Sequence, residues 1–149
     1  MSVLAGYPEL IACIVGWLVS SVLKIPTYYY VHRKLNLRQA FGTGGMPSSH
    51  AATMTATTLA IGLFSGFDHP AFALAVAISM IVIYDASGVR REAGYHAVII
   101  NRMIDEYMKG PLINQRKLKE MIGHTPLEVV GGVMCGLAST LILWLVWPN

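Results

Sequence analysis

Apolar and polar residues fall in long alternating blocks along this chain, not in the short period of a soluble helix. Four blocks are predominantly apolar: residues 7–23, closed by Lys24; 48–67; 71–84, ending at Asp85; and 129–147, preceded by Glu128. A bilayer core ~30 Å thick requires ~20 mostly apolar helical residues per crossing. The second and third blocks are short by hydropathy alone. Between them, Gly66-Phe67-Asp68-His69-Pro70 reads as the tight turn of a helical hairpin. A different pattern covers residues 92–108, where Val98, Ile99, Met103, Ile104 and Tyr107 recur at helical spacing among Glu92, Arg102, Asp105 and Glu106. That pattern predicts an amphipathic helix lying along the membrane interface or packed under the bundle. Tyr28, Tyr29 and Tyr30, followed by His32-Arg33-Lys34, have the aromatic-then-basic order of a membrane boundary. The predicted fold class is all-α: an integral membrane bundle of about four transmembrane helices plus an interfacial amphipathic helix, one domain over residues 1–149.

Composition agrees with the blocks. The 149 residues are 54% hydrophobic and 13% charged, with mean hydropathy +0.53; a soluble domain carries about 25% charged residues. Disorder, a disulfide scaffold and a nucleic-acid-coating protein are excluded, and no nucleic-acid partner is expected. Cys13 and Cys135 lie inside apolar blocks, where they pack as small hydrophobes. The first block lacks a basic leader and carries Glu9, so it reads as a retained span rather than a signal peptide.

Charge then sets the topology. Of the 11 Lys and Arg, Lys24, Arg33, Lys34 and Arg38 belong to the first connecting region. Arg90, Arg91, Arg102, Lys109, Arg116, Lys117 and Lys119 belong to the second. The positive-inside rule puts both regions on the cytoplasmic face of a cell membrane, with both termini outside.

Three segments of those regions carry candidate chemistry. Gly42-Thr43-Gly44-Gly45-Met46-Pro47-Ser48-Ser49-His50 is a glycine-rich turn that runs into a helix start. Successive N–H groups there, with the positive helix end, form a concavity for an anion. Gly123-His124-Thr125-Pro126-Leu127-Glu128 runs into the last block and satisfies a capping box with Pro at the first helical position. Asp85-Ala86-Ser87-Gly88-Val89-Arg90-Arg91 offers guanidinium groups for bidentate contact with phosphate oxygens. Two histidines, two arginines and a glycine nest are the set that phosphoryl transfer requires: a nucleophile, an acid for the leaving oxygen, and cations on the remaining oxygens. The histidines and carboxylates do not cluster compactly, so no metal and no other cofactor is expected.

These three segments resemble the divergent branch of the type 2 phosphatidic acid phosphatase superfamily, which is related to acid phosphatases and vanadium-dependent haloperoxidases. The superfamily pattern is Lys-x6-Arg-Pro, then Pro-Ser-Gly-His, then Ser-Arg-x5-His-x3-Asp. Pro47-Ser48-Ser49-His50 matches the second element with Ser for Gly, which implies that His50 is the general acid. His124 to Glu128 matches His-x3-Asp with Glu for Asp, which implies that His124 is the nucleophile and Glu128 its orienting carboxylate. No Lys-x6-Arg-Pro occurs, and Leu118, between Lys117 and Lys119, stands where the pattern has Arg. Arg90-x5-His96 fits the Arg-x5-His spacing and makes His96 a competing nucleophile, without the preceding Ser or the following acid.

The resemblance implies a metal-independent membrane phosphatase acting on a lipid or isoprenoid phosphate monoester through a phosphohistidine. Arg90, Arg91, Gly44, Gly45, Ser48, Ser49, Lys117 and Lys119 would bind substrate. The alternative is a non-catalytic phospholipid-binding or transport protein that retains the fold.

Overall fold

The structure, a computed structural model, describes residues 6–37, 40, 42, 44–107, 118 and 123–147. It is all-helical among these residues, with α1 over Pro8–His32, α2 over Ser49–Ala60, α3 over Pro70–Ser87, α4 over Val89–Tyr107 and α5 over Pro126–Val146. A π-helical turn, Ile61–Ser65, extends α2. Prolines in the first turn start α1, α3 and α5, where the missing N–H costs no helical bond.

Among the described residues, three stretches are long and apolar enough to cross a membrane: Pro8–His32, Pro70–Glu106 and Pro126–Val146. The expected fourth helix is shorter: the 12 residues of α2 and five of the π turn rise about 25 Å together. α2 needs less hydropathy because it is central, packing against α1, α3 and α5. Its buried side is alanine: Ala51, Ala52, Ala56 and Ala60. Glycines face it from both flanks. A Cβ on Gly16 of α1 would lie 2.7 Å from Ala56 Cβ, and one on Gly136 of α5 would lie 2.5 Å from the Ala52 carbonyl oxygen. Backbones therefore meet at the distance that small residues permit in lipid. Large apolar side chains such as Leu10, Val22, Ile81 and Leu145 point outward instead. Small residues inside and large apolar ones outside is the reverse of a soluble core.

Lys24 does not close the first helix. α1 continues through the internal Pro26 to His32 and ends on Arg33 in the left-handed region (φ 54°). The lysine is tolerated within the helix because it is turned inward, 3% exposed, with its Nζ donating to the Gly42 carbonyl at 3.1 Å. α4 corresponds to the expected amphipathic helix. It follows α3 across Gly88, and Asn101 on it pairs with the Leu118 backbone in both directions, at 2.8 and 2.9 Å.

The bundle has two distinct ends. At one, Ser65 Oγ donates to Glu9 at 2.6 Å, and the Phe64 and Trp147 rings meet edge to face at 5.6 Å. At the other, the glycine turn, the α3–α4 junction and the start of α5 come together.

Candidate active site

The glycine turn is shaped by two residues that only glycine suits. Gly44 and Gly45 have φ of 85° and 84°, in the left-handed region where a Cβ is strained. Three tethers then fix the turn. Lys24 binds the Gly42 carbonyl, Thr27 Oγ1 donates to the Met46 carbonyl, and the Ser48 N–H donates to the Glu128 carbonyl at 2.9 Å. Ser48 is fully buried and its Oγ accepts from the Ala51 N–H at 3.3 Å, so its hydroxyl serves as the cap of α2. Two residues later, His50 stands in the first turn of α2.

The start of α5 is built with similar redundancy. The Glu128 N–H donates to Thr125 Oγ1 at 3.3 Å, and the Thr125 N–H donates to Glu128 Oε2 at 3.1 Å. That reciprocal pair is the capping box read from the sequence. The same Oε2 lies 3.0 Å from His124 Nδ1. The His124 N–H donates to the Ala86 carbonyl at 3.0 Å, fixing the residue to the end of α3. Gly123 is required by close approach, because a Cβ there would lie 2.5 Å from the Arg91 backbone nitrogen. These contacts bring the two sequence-distant histidines together. The rings of His50 and His124 are 5.7 Å apart, centroid to centroid, inclined at 66°.

His124 is 3% exposed, and burial holds its pKa below the usual histidine range. The Glu128 hydrogen bond and charge oppose that shift, while Lys24 and Arg90 add to it. The ring is therefore neutral at ordinary pH. An ionised carboxylate only accepts, so the proton sits on Nδ1 facing Glu128 and the Nε2 lone pair is left available.

A sequence profile described as the Divergent PAP2 family matches residues 7–139. This chain belongs to the divergent PAP2 family. It is also similar to the uncharacterized membrane protein YuiD of Bacillus subtilis (strain 168), with 35% identity over 156 aligned positions covering 96% of this chain and 97% of that protein. No solved structure matches. The chain is a phosphatase-like membrane protein of this family, and the matched region contains all three motif segments.

Within this divergent PAP2 fold the remaining candidates are dispersed. Arg90 Nε lies 2.7 Å from Asp85 Oδ2, with both side chains partly exposed, and Arg90 acts electrostatically on His124. The Arg91 guanidinium lies over the Tyr95 ring at 5.8 Å. His96 is exposed on α4, whereas His124 is buried beside His50. Ser49 lines a small cavity with His50 and Thr53. Lys117 and Lys119 lie outside the described residues.

Lys24 is the site residue that the sequence reading missed. Along with Thr27, Tyr28, Gly45, Met46 and Glu128 it lines a cleft of about 450 Å³. Its charge reaches both Glu128 and His124. The overlooked signal is the run Tyr28-Tyr29-Tyr30-Val31: amphipathic residues continuing after a lysine mark a helix that has not ended.

Proposed function

We propose that this protein is a membrane-embedded phosphatase that hydrolyses a lipid or isoprenoid phosphate monoester from the cytoplasmic face. The observation that carries the reading is a buried, neutral His124 oriented by Glu128 at 3.0 Å with a second histidine, His50, at 5.7 Å. In the first step His124 Nε2 attacks phosphorus, and the ester P–O bond breaks as His50 delivers a proton to the departing oxygen. In the second, water deprotonated by His50 attacks the phosphohistidine. The P–N bond breaks, inorganic phosphate leaves, and both histidines return to their starting states.

The anion's other oxygens face the N–H groups of Gly44 and Gly45, with Lys24 and Arg90 as the adjacent cations and Arg91, Lys117 and Lys119 as the outer basic set. Lys24 supplies part of the positive charge that a chain without Lys-x6-Arg-Pro otherwise lacks. Ser48 and Ser49 serve this site as supports, the first by capping α2. Such preorganised donors contribute most where water is excluded. A non-catalytic phospholipid-binding role draws on one observation, the Asp85–Arg90 pair that already satisfies one cation.

The test is phosphate release from short-chain phosphatidate by purified protein in the presence of a chelator. Release that disappears in His124→Ala supports the enzyme. Phosphatidate binding without release, in protein that is folded and pure, supports the binding role.

A further inference from the structure

Three polar side-chain atoms in the first turns of α2 are buried without a hydrogen-bond partner: Ser49 Oγ, His50 Nδ1 and Thr53 Oγ1. Their residues line one cavity of about 270 Å³, together with Trp17 of α1, Met54 of α2 and Val82 of α3. In a bilayer an orphaned polar group finds no partner in lipid, so leaving it unpaired is unfavourable. Serine and threonine in such helices commonly turn back onto their own carbonyls, as Thr57 does to Thr53 at 2.8 Å and Ser20 to Trp17 at 2.9 Å. Ser49 and Thr53 do not. They stand four residues apart, one turn above the other on one face of α2. His50 lies between them in sequence.

A water occupies about 30 Å³ of liquid and needs two to four polar partners when buried. The cavity has room for several, and three of its lining residues, Ser49, His50 and Thr53, each carry a buried polar atom that lacks a partner. We propose that this cavity is a hydration site in which ordered water bridges Ser49 Oγ, Thr53 Oγ1 and His50 Nδ1, making Ser49 and Thr53 positioning residues for the His50 ring. The hydration site stands on burial and geometry; its service to catalysis rests on the phosphatase reading. In that service the Nδ1–H stays bonded to the bridging water throughout. The proton given to the departing oxygen, and later recovered from the attacking water, moves only at Nε2. Ser49 stands where the Pro-Ser-Gly-His pattern has glycine, so one of the two hydroxyls has no counterpart in that pattern.

The charged and titratable groups acting on His50 are His124 ahead of α5, Arg90 on α4, Lys24 on α1 and Asp85 on α3. The test therefore holds pH fixed. The full chain, labelled with ¹⁵N-histidine in lipid nanodiscs at about pH 8, is expected to show His50 as a single Nδ1–H tautomer with magnetisation transfer from water to that proton. Combining Ser49→Gly with Thr53→Val should abolish the water transfer and leave His50 as a mixture of tautomers, while Thr53→Ser alone retains both signals. Unchanged His124 signals, held by Glu128, report that the bundle is intact.

Wild-type protein without water transfer at Nδ1 overturns the proposal, and so does a double variant whose His50 signals equal those of wild type. If the double variant does not fold, the wild-type transfer and its retention in Thr53→Ser decide the matter. Water transfer in a protein that releases no phosphate supports the hydration site and defeats the enzyme reading instead.

Discussion

Oε2 of Glu128 accepts from the Thr125 N–H at 3.1 Å and from His124 Nδ1 at 3.0 Å, so one atom caps α5 and orients the histidine. The two duties can be separated, because a capping box accepts Gln as well as Glu. Glu128→Gln should leave the helix start intact while removing a charge that favours protonated His124. The acid limb of kcat/KM is therefore expected to move to lower pH in Glu128→Gln, as read from a pH–rate profile; an unmoved limb would separate Glu128 from the titrating group. Burial already keeps the folded-state pKa of His124 below the unfolded value of ~6.5. The unfolded chain binds the proton more readily, so this contribution to stability is complete above that value and is lost as pH falls below it, toward the lowered folded pKa.

The histidines differ in the step they serve. A nucleophile is required for any leaving group, whereas an acid is needed most for a poor one. His124→Ala should end turnover of both a lipid phosphate and an activated aryl phosphate. His50→Ala should slow the lipid phosphate by ~10²–10⁴-fold and the aryl phosphate less. A phosphoenzyme that survives His124→Ala but vanishes in His96→Ala would transfer the nucleophile to α4.

At the level of elements, α2 is held by backbone approach and the glycine turn by tethers to α1 and α5. Replacing Gly136 with Val would force a Cβ toward the Ala52 carbonyl, where 2.5 Å is available, and overpacking of this kind costs about 1–3 kcal/mol. A lower melting temperature in detergent is the expected reading. Gly45→Val should act differently, because strain at φ 84° distorts the turn and blocks close approach of an anion. Orthovanadate should bind more weakly to that variant, and equal binding would make the glycines simple turn formers. Lys24→Met should also weaken vanadate, by roughly 10–10²-fold if a charged hydrogen bond worth ~1.5–3 kcal/mol is lost.

The helices themselves were readable from hydropathy blocks, prolines and the capping box, all of which are local. Two features were not. The first helix passes its expected end at Lys24 because that side chain finds the Gly42 carbonyl 18 residues away, a contact without local signature. The central helix is short and rich in Ala and Thr because neighbouring helices, not lipid, surround it. Motif spacing and charge likewise pointed to His50 and His124 at one membrane face, but the 5.7 Å between their rings depends on tertiary contacts that no local pattern encodes.

For the whole molecule, the meeting of those histidines becomes a statement about topology. Contacts between His50 and His124, and between the His124 N–H and Ala86, require the first and second connecting regions to share one end of the bundle. The Glu9–Ser65 bond and the Phe64–Trp147 ring pair bring the start of α1, the end of the π turn and the end of α5 to the other. The basic residues are just as one-sided in sequence: Lys24 lies inside α1 with its Nζ on the Gly42 carbonyl, and the other ten fall between Arg33 and Arg38 or between Arg90 and Lys119. We propose from the positive-inside rule that the histidine end faces the cytoplasm. Single cysteines at Leu37, at Leu118 and at Gly6, introduced after Cys13 and Cys135 have been replaced, would test it in intact cells. Gly6 has open space around its Cα and Leu37 and Leu118 are exposed, so none of the three should disturb packing. A membrane-impermeant maleimide should label Gly6→Cys from outside and reach Leu37→Cys and Leu118→Cys only after the cells are opened. The reverse pattern would keep the site and move it to the outer face, where its substrate would be a lipid phosphate of that leaflet. Labelling of Leu37→Cys and Leu118→Cys from opposite sides would be more damaging. A bilayer would then separate the regions that carry His50 and His124, and no two-histidine phosphoryl transfer could occur in this chain.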